Sequence, residues 1–129
     1  MKTYLEFVAE MSKGEQRELE SRLAIAIEHL LKLQYVRGQT LTDNLRGWQK
    51  SLRNQHTELA DHIEANKGLK SKLTAELVDR IYRSVLLDLK AQYPHTPFPS
   101  SRQLSMEEIV GPGVWKEIGP KPKTQPKKK

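Results

Sequence analysis

Apolar residues recur at helical spacing through the first third of the chain. Leu19, Leu23, Ala26, Ile27, Leu30 and Leu31 fall on one side of a helix, and Ile25, Leu33 and Val36 widen that face. The stretch from Glu15 to Tyr35 therefore reads as an amphipathic helix central to the core. Upstream, Thr3 with Glu6 and Ser12 with Glu15 both have capping-box spacing. They predict a short helix over about 4–11 and a second helix starting near Lys13, with Gly14 opposing a single unbroken one. Arg37-Gly38 ends the central helix, and Thr42 is the expected N-cap of the next.

That next helix runs from about Asp43 to Ala65. Leu45, Trp48, Leu52, His56, Leu59 and Ile63 follow one another by steps of three and four, a narrow bundle-like seam. Asn66-Lys67-Gly68 ends it, and Leu69 to Tyr93 reads as a further helix with Leu73, Leu77, Ile81, Val85 and Leu89 in one row. Pro94, Pro97 and Pro99 force an extended segment. Ser105 and Glu108 then form a third capping-box match ahead of a short helix, Met106 to Val110, which Gly111-Pro112-Gly113 closes. Trp115 and Ile118 are expected to lie back on the bundle, since they would otherwise stay exposed.

No strand pattern competes with these helices, and their connections are short. The fold expected is all-α: an up-and-down bundle of three long helices with short N- and C-terminal helices and a disordered basic tail. At 129 residues the chain has room for one core. The expected division is a helical domain over 1–118 and a Lys/Pro tail over 119–129. With no cysteine there are no disulfides and no thiolate metal sites. Glu6 and Glu10 interrupt the apolar start and spoil a signal peptide, and no window nears the ~18 apolar residues of a membrane span. A cytoplasmic protein without a membrane partner is the expectation.

Net charge is +6, but its location changes what it means. Five of the 22 cationic residues are the tail lysines 121, 123, 127, 128 and 129, which leaves 17 against 16 carboxylates over residues 1–120. The body is nearly neutral. Lys127, Lys128 and Lys129 offer salt-sensitive phosphate contacts or serve simply as a solubilising terminus.

Several local steps, taken in order, resemble one bacterial family. These are Arg17 to Leu19 with Glu20-Ser21, His29-Leu30-Leu31-Lys32 with Gln34-Tyr35, and Trp48 followed by Leu52 and Gln55. Leu69-Lys70, Tyr82, Phe98-Pro99 and the Leu104 to Ile109 helix complete the series. Over roughly Leu5 to Val110 the chain resembles the domain of unknown function 29 family. The resemblance implies an α-helical bundle of bacterial or bacteriophage source and no established activity. His56 stands where that family usually has arginine, and Leu33 where it often has tryptophan. Family members also usually carry a further helical segment before the part matching Leu5. Without it, the apolar face would call for a second copy, a partner helix, or cover from the chain's own ends.

Candidate chemistry is sparse. Arg22 and His29 match the Arg-x(4 to 6)-His spacing of the HEPN ribonucleases, which are also helical bundles, in which such a pair stabilises a phosphoryl transition state and moves a proton. Composition alone yields about 0.7 such matches, so the motif is unspecific, and a structural role suits His29 better. His56, placed in the seam, reads as a hydrogen-bonded structural group, and Trp48, Tyr82 and Trp115 as packing residues. Glu58 and His62 are four apart, but no Glu-x-x-His pair or His-Glu-x-x-His motif exists, so neither a metal nor any other cofactor is expected. Arg46, Lys50 and Arg53 share one helix face, and Arg80 and Arg83 form a second cluster. Asp43, Glu58 and Asp79 are the carboxylates available to neutralise them.

The function expected is a non-enzymatic helical interaction protein that binds a protein partner, or itself, through an apolar bundle face. The alternatives are a nucleic-acid-associated protein that uses the tail with the Arg46, Lys50 and Arg53 face, and a HEPN-like ribonuclease.

Overall fold

A computed structural model gives the backbone of residues 4–119, with side chains from residue 14 onward except that of residue 117. The elements are α1 (Tyr4–Tyr35), α2 (Gln39–Ala65), a 3-10 turn (Lys67–Lys72), α3 (Ala75–Gln92), α4 (Met106–Val110) and α5 (Pro112–Ile118). No strand occurs among the described residues, and the fold is the expected all-α bundle. None of the described helices is long and apolar enough to cross a membrane. Thr3 and the lysine tail lie outside the described residues.

The α1–α2 pair is an antiparallel hairpin whose register can be read from its polar contacts. His62 reaches the Glu15 carbonyl at 3.0 Å, Arg22 reaches Glu58 at 3.5 Å, and Lys32 stacks over Trp48 at 5.3 Å. As the α1 number rises, the α2 number falls in step. Helix α3 runs the other way: Arg80 meets Glu20 near its start, and Tyr93 joins Phe98 and Tyr35 at its end. Helix α1 packs against both α2 and α3, which have little contact with each other. It is the shared spine, consistent with the full burial of Leu19, Leu23, Ala26, Ile27 and Leu31.

Several boundaries differ from those the sequence predicts. The N-terminal part is one helix through Ser12, Lys13 and Gly14 rather than two. Gly14 is exposed and a glycine inside a helix costs only about 1 kcal/mol, less than breaking the run of hydrogen bonds on either side. Helix α2 starts at Gln39, and Thr42 is not its N-cap. The chain instead turns at Gly38, with φ +78°, and the Thr42 hydroxyl donates back to the Gly38 carbonyl at 3.2 Å. The helix expected from Leu69 begins only at Ala75, because the Thr74 side chain accepts from the Leu77 amide at 3.1 Å and sets a new N-terminus. Residues 67–72 form the tighter 3-10 turn instead.

The C-terminal capping box is as the sequence predicts: Ser105 accepts from the Glu108 amide at 3.0 Å and Glu108 accepts from the Ser105 amide at 2.8 Å. Gly111-Pro112-Gly113, expected to end helical structure, instead turns a corner. Gly111 has φ +88° and Pro112 opens α5, since proline at a first helical position lacks only an amide that would be unpaired there. Trp115 and Ile118 pack, half-buried, against the core, and Val114 is buried. Helices α4 and α5 thereby cover α2 while α4 also meets α1. Leu45 and Leu87, 38% and 72% exposed, are the large apolar side chains left open among the described residues.

Candidate functional site

The Arg22 and His29 side chains do not converge. They lie about 10 Å apart along the α1 axis. The Arg22 guanidinium is drawn toward the helix N-terminus by Glu18 at 3.1 Å and across to α2 by Gln55 at 3.4 Å and Glu58 at 3.5 Å. His29 donates through Nδ1 to the Ile25 carbonyl of its own helix at 2.8 Å. Arg22 thus bridges two helices, while the His29 ring is tied to one turn of its own.

The other residues expected to be structural make the following contacts. His56 donates through Nε2 to the Glu108 carbonyl at 3.0 Å, and its ring lies so close under Gly111 that a Cβ there would sit 2.6 Å from Cγ. Trp48 is buried beneath Lys32. The Tyr82 hydroxyl donates to the Pro99 carbonyl, and burial together with nearby Tyr35 raises its pKa above the usual tyrosine value. Trp115 lies so near Gly119 that a Cβ on the glycine would collide with the indole.

In the sequence Lys32 stands out only as the end of the His29-Leu30-Leu31-Lys32 step. In the fold its side chain is 11% exposed, pairs with Glu28 at 2.8 Å and caps the Trp48 ring. A lysine within the apolar run and a tryptophan on the next seam were the available signals. Arg102 was also missed: it pairs with Asp79 on α3 and donates to the Leu104 carbonyl at 2.6 Å, fastening the proline-rich segment to the bundle.

The cations divide into two groups. Arg46, Lys50 and Arg53 are exposed along about 10 Å of the outer face of α2. None has a carboxylate partner among the described residues. Of the carboxylates expected to neutralise the basic faces, Glu58 faces Arg22 and Asp79 holds Arg102, while Asp43 accepts from the neutral Gln39 amide at 2.6 Å and keeps its charge at the N-terminal end of the row. On α3, Arg80 is paired with Glu20 at 3.2 Å, whereas Arg83 is exposed at the mouth of a cavity of about 300 Å³. Because α2 and α3 scarcely touch, the two groups do not merge into one packed cluster. Lys127, Lys128 and Lys129 lie outside the described residues.

Among the described residues no three His, Asp or Glu side chains are placed to hold a metal ion. What the arrangement offers is a short cationic stripe edged by Leu45, chemistry suited to recognition of an anionic surface. No curated protein and no solved structure matches the chain. The family model described as domain of unknown function DUF29 matches residues 1–115, and the chain belongs to that family.

Proposed function

We propose that this chain is a non-enzymatic interaction protein that binds an acidic surface of a partner protein through the outer face of α2. The supporting observation is the row Arg46, Lys50 and Arg53, exposed and without a carboxylate partner among the described residues. Leu45, 38% exposed at the open end of the Trp48 seam, lies about a quarter-turn round the helix from Arg46 and Arg53 and adds an apolar contact flanking the row. An apolar anchor beside a few cations suits a protein surface better than a phosphate track. The row is also short, with exposed Asp43, Asp61 and Glu64 toward its two ends, where a longer polyanion would meet repulsion. A second copy docking through the same face would set the cationic row against itself in a two-fold dimer, which favours a different chain as the partner.

The nucleic-acid reading draws its support from the run Lys127 to Lys129 together with the same α2 face. One experiment separates the two. The tagged protein is captured from its native cell at low salt, with and without nuclease, beside an Arg46→Glu, Lys50→Glu, Arg53→Glu variant whose helicity is checked by circular dichroism. A stoichiometric protein that survives nuclease and is lost from the variant is the expected result. Equal recovery on both baits would overturn the assignment to α2, and recovery of nucleic acid alone would replace the reading with its alternative.

A further inference from the structure

The cavity of about 300 Å³ beside α3 is lined by Asp79, Tyr82, Arg83, Ser100, Ser101 and Arg102. Its far wall is the segment after Pro97, fixed at several points. Phe98 is buried edge-on between Tyr35 and Tyr93, with ring centres 6.1 and 6.3 Å away. The Pro99 carbonyl accepts from Tyr82, and Arg102 is fastened to Asp79 and to the Leu104 carbonyl. Proline at 97 and 99 further narrows what the backbone can do. A wall held this way needs little ordering when a ligand arrives.

Most polar groups on the lining are already used. The Tyr82 hydroxyl serves Pro99, Asp79 serves Arg102, and the Ser101 hydroxyl accepts from Gln103 at 3.2 Å. Two remain without a partner among the described residues: the Arg83 guanidinium and the Ser100 hydroxyl. Both donate. The charge balance is equally simple, because Asp79 and Arg102 cancel and leave the single positive charge of Arg83. A guanidinium fork matches a planar carboxylate in a two-point contact.

We propose that this cavity is a binding site for a monocarboxylate, gripped by the Arg83 fork and the Ser100 hydroxyl. A single surplus charge is matched by one carboxylate and overmatched by a phosphate dianion. The volume, at the lower end for ligand pockets, suits a small acid. The site is independent of the α2 face, from which it is separated by α1.

The test is a nuclear magnetic resonance titration of the full chain with acetate, benzoate and inorganic phosphate, following the Arg83 side-chain Hε and the amides of residues 100–102. Saturable shifts centred there are expected, with benzoate and acetate both tighter than phosphate. Arg83→Gln, at an exposed position that leaves the fold intact, should weaken benzoate at least tenfold, and Ser100→Ala a few-fold. Tighter binding of phosphate, shifts that do not saturate, or an undiminished response in Arg83→Gln would overturn the proposal. A response at Arg46, Lys50 and Arg53 in place of the cavity would do the same.

Discussion

Gly38 and Gly111 share a backbone conformation that side chains do not tolerate, with φ, ψ of 78°, −152° and 88°, 160°. That region is occupied essentially by glycine alone, and forcing another residue into it costs about 1–3 kcal/mol. Nothing lies within 4 Å of a Cβ built on Gly38, so Gly38→Ala should lose only that strain. At Gly111 the same Cβ would strike the His56 ring, and Gly111→Ala should destabilise more than Gly38→Ala. Gly14→Ala is the contrasting case: an open helical position where alanine should add about 0.5–1 kcal/mol. Urea denaturation of the three variants checks the order. Lys32 makes a different point at this scale. Removing its side chain strips the cation from Trp48 and leaves Glu28 unpaired, so Lys32→Ala should cost about 1–2 kcal/mol, largely rescued by Lys32→Arg in the same assay.

At the scale of elements, caps decided where the sequence was readable. The box Ser105-x-x-Glu108 is local and reciprocal, so its two side chains specify the start of α4 without help from elsewhere. Ser105→Ala should lower stability by about 1 kcal/mol. Ser12 has the same box spacing with Glu15, and Thr42 an N-cap side chain alone; neither starts a helix, because α1 continues through the first and α2 is already under way at the second. Thr74 was overlooked inside an apolar periodicity that ran on either side of it, although its hydroxyl begins α3. Thr74→Ala should therefore lower stability by a comparable amount and weaken amide protection in the first turn of α3, read by hydrogen exchange. Gly-Pro-Gly has the composition of a stop, yet Pro112 after the positive-φ Gly111 starts α5, and that φ is set by tertiary packing rather than by the three residues alone. The buried row of α3 and the seam of α2 from Trp48 onward are legible, since burial follows the 3.6-residue period wherever a helix has one apolar side, while Leu45 at the end of the seam is left open.

At the scale of the whole molecule, short connections were enough to indicate a hairpin, but not to indicate that α1 would serve as a spine for both neighbours. That outcome rests on pairings between distant positions, such as Arg22 with Glu58 and Arg80 with Glu20, which no local pattern announces. The same is true of the cavity, whose six lining residues come from α3 and from a segment some twenty positions later. Tyr82, at its wall, links the global stability to pH. Its folded pKa is raised, so the folded state holds the phenol proton more tightly than the unfolded chain does. Stability from this group is constant below the usual tyrosine pKa of 10.0 and falls as pH rises through it. Tyr82→Phe should cost about 0.5–1.5 kcal/mol at neutral pH by losing the bond to Pro99 and should flatten the alkaline decline, both measurable by denaturation at pH 7 and above 10.

The contact of His56 with Glu108 and Gly111 joins parts of the chain 52 positions apart, whereas the α1–α2 hairpin closes over a three-residue link. That difference sets an order of events. Closing the long loop is entropically the dearer step, so the α4–α5 corner should dock after the hairpin has crossed the folding barrier. Gly111→Ala would then leave the refolding rate almost untouched and quicken unfolding, while Lys32→Ala, inside the hairpin, would slow refolding. Stopped-flow chevrons of the two variants read that sequence directly.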